Sequence, residues 1–214
     1  HFANAKSLFI DYSLFLIVNC LKGDVVLKRF EDYFQKIENQ CPTLCMTPET
    51  EKKIEDFIEK LIEAKMKEYI HMIDNGSERK RWKTGISGEL AVEKLLGIRF
   101  FNWSIGHSRD YNTSDLLSYG LNVGVKTVEY GKFPIIHKKV IRPEIIVVKK
   151  GNRFFVCGLA TTRVLKLYQD DDLILSPKLR ARNVKTGFYG FEHLVPFRTL
   201  LELKTILRKN KIAS

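Results

Sequence analysis

Apolar residues recur at helical spacing over the first third of the chain and at strand spacing over much of the remainder. Between Thr47 and Asp74, a stripe of Ile54, Phe57, Ile58, Leu61, Ile62, Tyr69 and Ile73 predicts a long amphipathic helix. Thr47 suits its N-cap, Pro48 its first helical position, and Glu49 and Glu51 the positive end of the helix dipole. Asn75-Gly76 is expected to end it. An earlier helix is expected from Asp24 to about Gln40, with Val26, Phe30, Tyr33, Phe34 and Ile37 on one side. The apolar run Leu8–Leu21 is interrupted by Asp11, Ser13 and Asn19. It is too short and broken for a membrane span and reads as a buried helix. Such faces pack as a small bundle, as a dimer interface, or as a cover for a sheet.

Beyond residue 78 the pattern changes. A helix is expected over Gly85–Leu96, with Leu90, Val92, Leu95 and Leu96 inward and Gly97 as its stop. Ile98–Trp103 reads as a strand. Leu116–Tyr119 and Leu121–Val128 read as two strands joined at Gly120, and a hairpin between them would bring Asp115 and Lys126 to one end. Glu144–Val148 and Phe154–Leu159 read as a second strand pair, turning at Lys149–Arg153. Helices are expected at Thr161–Tyr168 and Phe197–Leu207. Asp170-Asp171-Asp172 reads as a solvated turn, because consecutive side chains diverge too much to share a metal.

Composition adds little and charge adds much. With 214 residues and 44% apolar content, the chain has the size and make-up of a folded protein. Cys20, Cys41, Cys45 and Cys157 do not form a secreted disulfide pattern, which favours free thiols in a reducing, cytoplasmic setting. Cys41-x-x-x-Cys45 lacks a second Cys/His pair at zinc spacing. Residues 1–75 carry 10 Lys and Arg against 13 Asp and Glu, and the rest of the chain holds the other 26 and 12. The basic excess, +11 for the whole chain, therefore belongs to the later part and points to a polyanion partner. Two regions follow: helical 1–78, a candidate homodimer surface, and basic 79–214.

The candidate chemistry lies between Gly106 and Tyr130. Lys126 is a lone ammonium among valines on a strand, and it shares a face with Gly124 and Val128. Asp115 precedes it at the start of an apolar segment. Charges on core strands are costly and need a partner or a task.

The order Gly85-Ile-Ser-Gly-Glu89, then Ser114-Asp115, then Gly124-Val125-Lys126, resembles the restriction-endonuclease-like PD-(D/E)XK nuclease superfamily. The resemblance covers roughly residues 84–200. It implies an α/β fold in which a restriction-endonuclease-like mixed β-sheet is flanked by helices, here preceded by the all-α N-terminal region. It also implies a Mg2+- or Mn2+-dependent DNA nuclease without membrane attachment. Asp115 would bind metal, Lys126 would position or activate water, and Glu89 would be an added acid from the helix. Ser114 stands where the signature has proline, and Gly124 stands where it has the second metal-binding acid. Glu144, Glu89 and Glu129 are candidate replacements, although Glu129 faces opposite Lys126. Lys138, Lys139, Arg142, Arg180, Arg182 and Lys185 are the expected phosphate contacts. Two other classes stay open: a nuclease-fold protein that binds nucleic acid without cleaving it, and an assembly protein working through its N-terminal helices.

Overall fold

The computed structural model describes residues 28–67, 75–105 and 113–212. In chain order its elements are α1 (Phe30–Glu38), β1 (Thr43–Cys45), α2 (Pro48–Lys67), α3 (Asn75–Leu96), β2 (Gly124–Glu129), β3 (Ile135–His137) and β4 (Glu144–Lys150). There follow β5 (Arg153–Ala160), α4 (Thr162–Leu167), β6 (Gln169–Asp170), α5 (Pro177–Ala181), β7 (Lys185–Phe188) and α6 (Leu200–Ile212). The chain is a mixed α/β protein whose main sheet lies between helices.

The layering follows from β4. Ile145, Ile146, Val147 and Val148 are all fully buried, a continuous apolar run that a strand needs when both of its faces are covered. On one face Ile145, Val147, Phe154 and Val156 share a core with Ile54 and Ile58 of α2, Leu90 of α3 and Leu203 of α6. On the other, Ile146, Val148, Phe155 and Cys157 pack with Phe30 and Phe34 of α1, Ile136 of β3, and Phe188 and Phe191. The main sheet runs in the order β1-β5-β4-β2, and only β2 and β4 are parallel. A smaller antiparallel sheet, β3-β7-β6, contributes to the second core.

Of the three uses open to the apolar stripe, α2 shows the third. Ile54 and Ile58 are fully buried against the sheet and Leu61 nearly so, so this part of the stripe is used within the chain. Thr47 caps α2 as expected, its Oγ1 accepting the Thr50 amide at 3.3 Å. The expected helix at Leu8–Leu21, and Tyr69 and Ile73, lie outside the described residues, whereas α1 opens at Phe30 with Arg29 extended before it, later than the expected start at Asp24. Among those described, no helix is long and apolar enough to cross a membrane.

Four local expectations are corrected. Asn75-Gly76 opens α3 instead of ending the preceding helix, so the change in charge sign falls inside a helix. Its cations are matched across the groove, with Arg79 Nη2 3.1 Å from Glu55 Oε2, Lys83 Nζ 2.5 Å from Glu55 Oε1, and Arg79 also paired with Glu59. Ile98–Trp103 is not a strand. It is an irregular segment whose Phe100 and Phe101 amides donate to Glu93 Oε1, and whose Phe101 and Trp103 rings meet Phe57 edge-on. Leu116–Tyr119 is not a strand either: Leu117–Tyr119 form a 3-10 turn closed by Gly120 at φ 72°. No hairpin therefore joins it to β2. Finally, the N-terminal region is not all-α: Thr43–Cys45, which carries no strand pattern of its own, forms an edge strand on β5.

The helix–sheet contact is close. A β-carbon at Gly88 would overlap the Thr127 side chain, so only glycine lets α3 approach β2 at that turn, against a cost of about 1 kcal/mol for glycine in a helix. If α2 is a structural cover for the sheet, Ile58→Ala should lower the unfolding free energy by about 2–5 kcal/mol in urea titration. A change below about 1 kcal/mol would show that the α2 layer is dispensable to the fold.

Candidate functional site

Asp115 reaches the start of β2 through a small closed loop. The Leu116 amide donates to Val123 O at 3.2 Å, and Leu121 N donates to Leu116 O at 3.3 Å. The left-handed turn at Gly120 permits this reversal. Asp115 Oδ2 then accepts the Val125 amide at 2.6 Å. The aspartate is thus held beside the strand by a backbone hydrogen bond, without the expected hairpin.

β4 supplies the other half. In the parallel register Gly124 is opposite Glu144 and Lys126 opposite Ile146, so these four side-chain positions share one face. A β-carbon built at residue 124 would overlap Oε2 of Glu144. The Glu144 carboxylate therefore occupies the volume that a side chain at 124 would enter. Its other oxygen accepts from Arg142 Nε at 3.4 Å. Gly124 N donates to Pro143 O at 3.1 Å, fixing the two strands at this end.

Burial shifts the ionisation of these groups. Burial raises the Asp115 carboxyl above its usual range, against the Val125 amide, Arg142 and Lys126, which favour its charge. Burial also raises Glu144, with Arg142 and Lys126 opposing and Asp115 reinforcing the shift. Glu89, on α3, is pushed well above the usual carboxylate range by burial and by the charges of Asp115 and Glu93. Lys126 is lowered, first by burial and then by Lys185 and Arg81, while Glu144 and Asp115 pull it back. Asp115, Glu144, Lys126 and Glu89 thus form one electrostatic group.

Other expected residues part company with it. Glu129 accepts from Thr84 Oγ1 at 2.6 Å and pairs with Lys149 at 3.1 Å, as its place on the opposite strand face requires. Arg180 donates to Ile174 O at 2.8 Å and to Asp172 O at 3.3 Å, tying α5 to the preceding turn. Lys138 is engaged by Asp171 and Asn183. Lys139 and Arg182 are exposed. The aspartate run is a turn: Asp170 pairs with Lys28 and caps the Asp172 amide, Asp171 meets Lys138, and Asp172 lies 3.8 Å from Arg180.

Two residues not assigned a role from sequence enter the site's field. Arg81 acts on both Lys126 and Lys185, and His137 is lowered by burial, Lys185, Lys126 and Arg142. Arg81 was legible in principle. Once α3 extends back to Asn75, positions 81, 85 and 89 follow at i, i+4 and i+8 along one helix face.

Among the described residues, no three His, Cys, Asp or Glu side chains converge as a ready metal cage. Magnesium does not need one, because it keeps several waters and is commonly held by one or two carboxylates with substrate phosphate. The oxygen-only pair Asp115 and Glu144, both desolvated, fits that requirement. No protein-family model, curated protein or solved structure matches this chain.

The raised carboxyls have a consequence for stability. A carboxyl whose folded pKa lies above its unfolded value favours the native state at low pH, and that contribution is lost as pH rises through the folded pKa. Asp115→Asn and Glu144→Gln remove this loss, and the new amide oxygen at position 115 still accepts from Val125 N. In chelator, both variants should melt above the parent protein at about pH 8, with the gap closing toward about pH 4. Equal melting temperatures at the alkaline end would contradict the crowding of these two acids.

Proposed function

We propose that the chain is a divalent-metal-dependent nuclease, hydrolysing phosphodiester bonds of DNA with a restriction-endonuclease-like site. One observation carries this reading. The acid missing at Gly124 is replaced in space by Glu144, its register partner, whose carboxylate fills the volume of the absent side chain. The pattern of one acid before the strand, one acid at its start and a lysine two residues on is thereby restored from two strands instead of one.

Asp115 and Glu144 would hold the Mg2+ or Mn2+, which supplies charge neutralisation for phosphate and a more acidic bound water. The residues themselves do three things. The two carboxylates are preorganised, Asp115 by Val125 N and Glu144 by Arg142. Lys126, with its proton affinity reduced by burial and by neighbouring cations, orients the attacking water and can take its proton. Glu89, which retains a proton more readily than an exposed acid, adds a hydrogen-bonding carboxyl next to Asp115. The basic excess of the later chain supplies the attraction for a polyanion.

Cleavage of plasmid or labelled duplex DNA in magnesium or manganese, against a chelator control, tests the reading. Asp115→Asn, Glu144→Gln and Lys126→Ala should each reduce cleavage by about two orders of magnitude or more while leaving salt-sensitive binding in chelator. Salt-sensitive binding with no cleavage in any divalent ion would replace the nuclease by a binding module.

The Gly124–Glu144 pairing has its own test. Gly124→Glu alone should lose cleavage and stability, because the new side chain meets the Glu144 carboxylate. Gly124→Glu combined with Glu144→Gly moves the acid back onto β2 and should recover part of the activity. Equal cleavage by the single variant and the parent would remove the spatial-replacement argument.

A further inference from the structure

Several partly buried cations of this protein meet an acid. Lys28 meets Asp170, Lys36 meets Glu192, Lys149 meets Glu129, Lys150 meets Glu38, and Arg79 and Lys83 meet Glu55. Lys185 differs from these. It is half-buried at the start of β7, and no carboxylate pairs with it among the described residues. Its neighbours are basic groups. His137 is its register partner on β3, Arg182 lies three residues before it at the end of α5, and Arg81 approaches from α3. Lys126 of the acid site lies within its field. Arg81 has one acid, Glu78 at 3.0 Å, but that is a local i,i+3 pair with an exposed arginine and contributes little.

A half-buried ammonium beside four basic groups is unfavourable unless an anion completes it. The groups come from five elements, with Arg81, His137 and Arg182 exposed beside half-buried Lys185, so they are not one solvated helix face. Lys126, which feels both Lys185 and the carboxylates, links these groups to Asp115 and Glu144, where a lone small anion would be repelled. An extended chain of phosphates meets both conditions, with one phosphate at the acids and another at the cations.

We propose that Lys185, with His137, Arg81 and Arg182, forms a phosphate-binding bracket on the small sheet that holds the nucleic-acid backbone beside the phosphate at Asp115 and Glu144. This rests on the nuclease reading for the path of the strand. The contacts are to phosphate oxygens, so the bracket positions a strand without reading its bases.

The test uses the full chain in chelator with fluorescent single-stranded and duplex DNA of one sequence, followed by anisotropy across a salt series. Lys185→Gln should weaken binding and reduce the slope of log affinity against log salt by about one. Lys185→Arg should retain most of the parent slope, and Lys60→Gln, an exposed lysine on α2, should leave it unchanged. Lys185→Gln should also melt no lower than the parent, since a crowded charge is removed. A Lys185→Gln slope equal to that of Lys60→Gln would overturn the bracket, as would absence of any binding by the parent. Cleavage in manganese separates the two proposals. Lys185-dependent binding without cleavage keeps the bracket and removes the nuclease, whereas cleavage by a parent whose binding ignores Lys185 does the reverse.

Discussion

Four ionisable groups, Glu89, Asp115, Lys126 and Glu144, share one end of a sheet that is covered on both faces, and burial works against the charge of each. A fold selected only for stability would place apolar residues there. Instead, particular structural features keep them in place: a 3-10 turn and a left-handed glycine deliver Asp115 to the Val125 amide, and the parallel pairing of β2 with β4 delivers Glu144. The apolar layers on either side make this possible. Ile145–Val148 hold β4 rigidly between two cores, and the Gly88 contact fixes α3, with Glu89, against β2.

Much of that frame could be read from periodicity. The β4–β5 pair, the lysine-bearing strand and the helix from Pro48 are each set by local pattern together with turn or cap residues. The failures have a common physical origin. Phe100, Phe101 and Trp103 look like a strand because they are bulky and closely spaced, but they pack against Phe57 while Glu93, not a neighbouring strand, takes the phenylalanine amides. Asn75-Gly76 looks like a stop because both residues favour turns. The cations that follow are nevertheless held in helix by acids on α2, and such cross-helix pairing leaves no trace in a local window. β1 is short and has no alternation of its own, since its strand character comes from β5.

The site was legible in the same uneven way. Asp115 and Lys126 stand out because they are charges in apolar surroundings, and that signal is local. The relation between Gly124 and Glu144 is not local. It depends on a parallel register between two strands separated by a connection that carries β3. Read along the chain, the glycine is only the absence of an acid. Read across the sheet, it is the vacancy that Glu144 fills. Arg180 shows the same limit: its place in a basic, aromatic stretch is local, whereas the hydrogen bonds of its guanidinium to the carbonyls of Asp172 and Ile174 depend on how the chain turns.

This pairing also limits how the two positions can vary. A side chain at 124 and a glutamate at 144 compete for one volume, so neither residue can change freely while the other stays. With glycine at 124, an acid from β4 reaches the site at the cost of burying a carboxylate beside Asp115. Arg142, two residues before Glu144 on the same chain segment, reduces that cost by pairing with it. Lys126 reduces it further, but its own charge is opposed by Lys185 and Arg81. Acids and bases at this end therefore hold each other in partly frustrated states. A phosphate with a divalent ion would satisfy both sets together, whereas neither an isolated anion nor an isolated cation would.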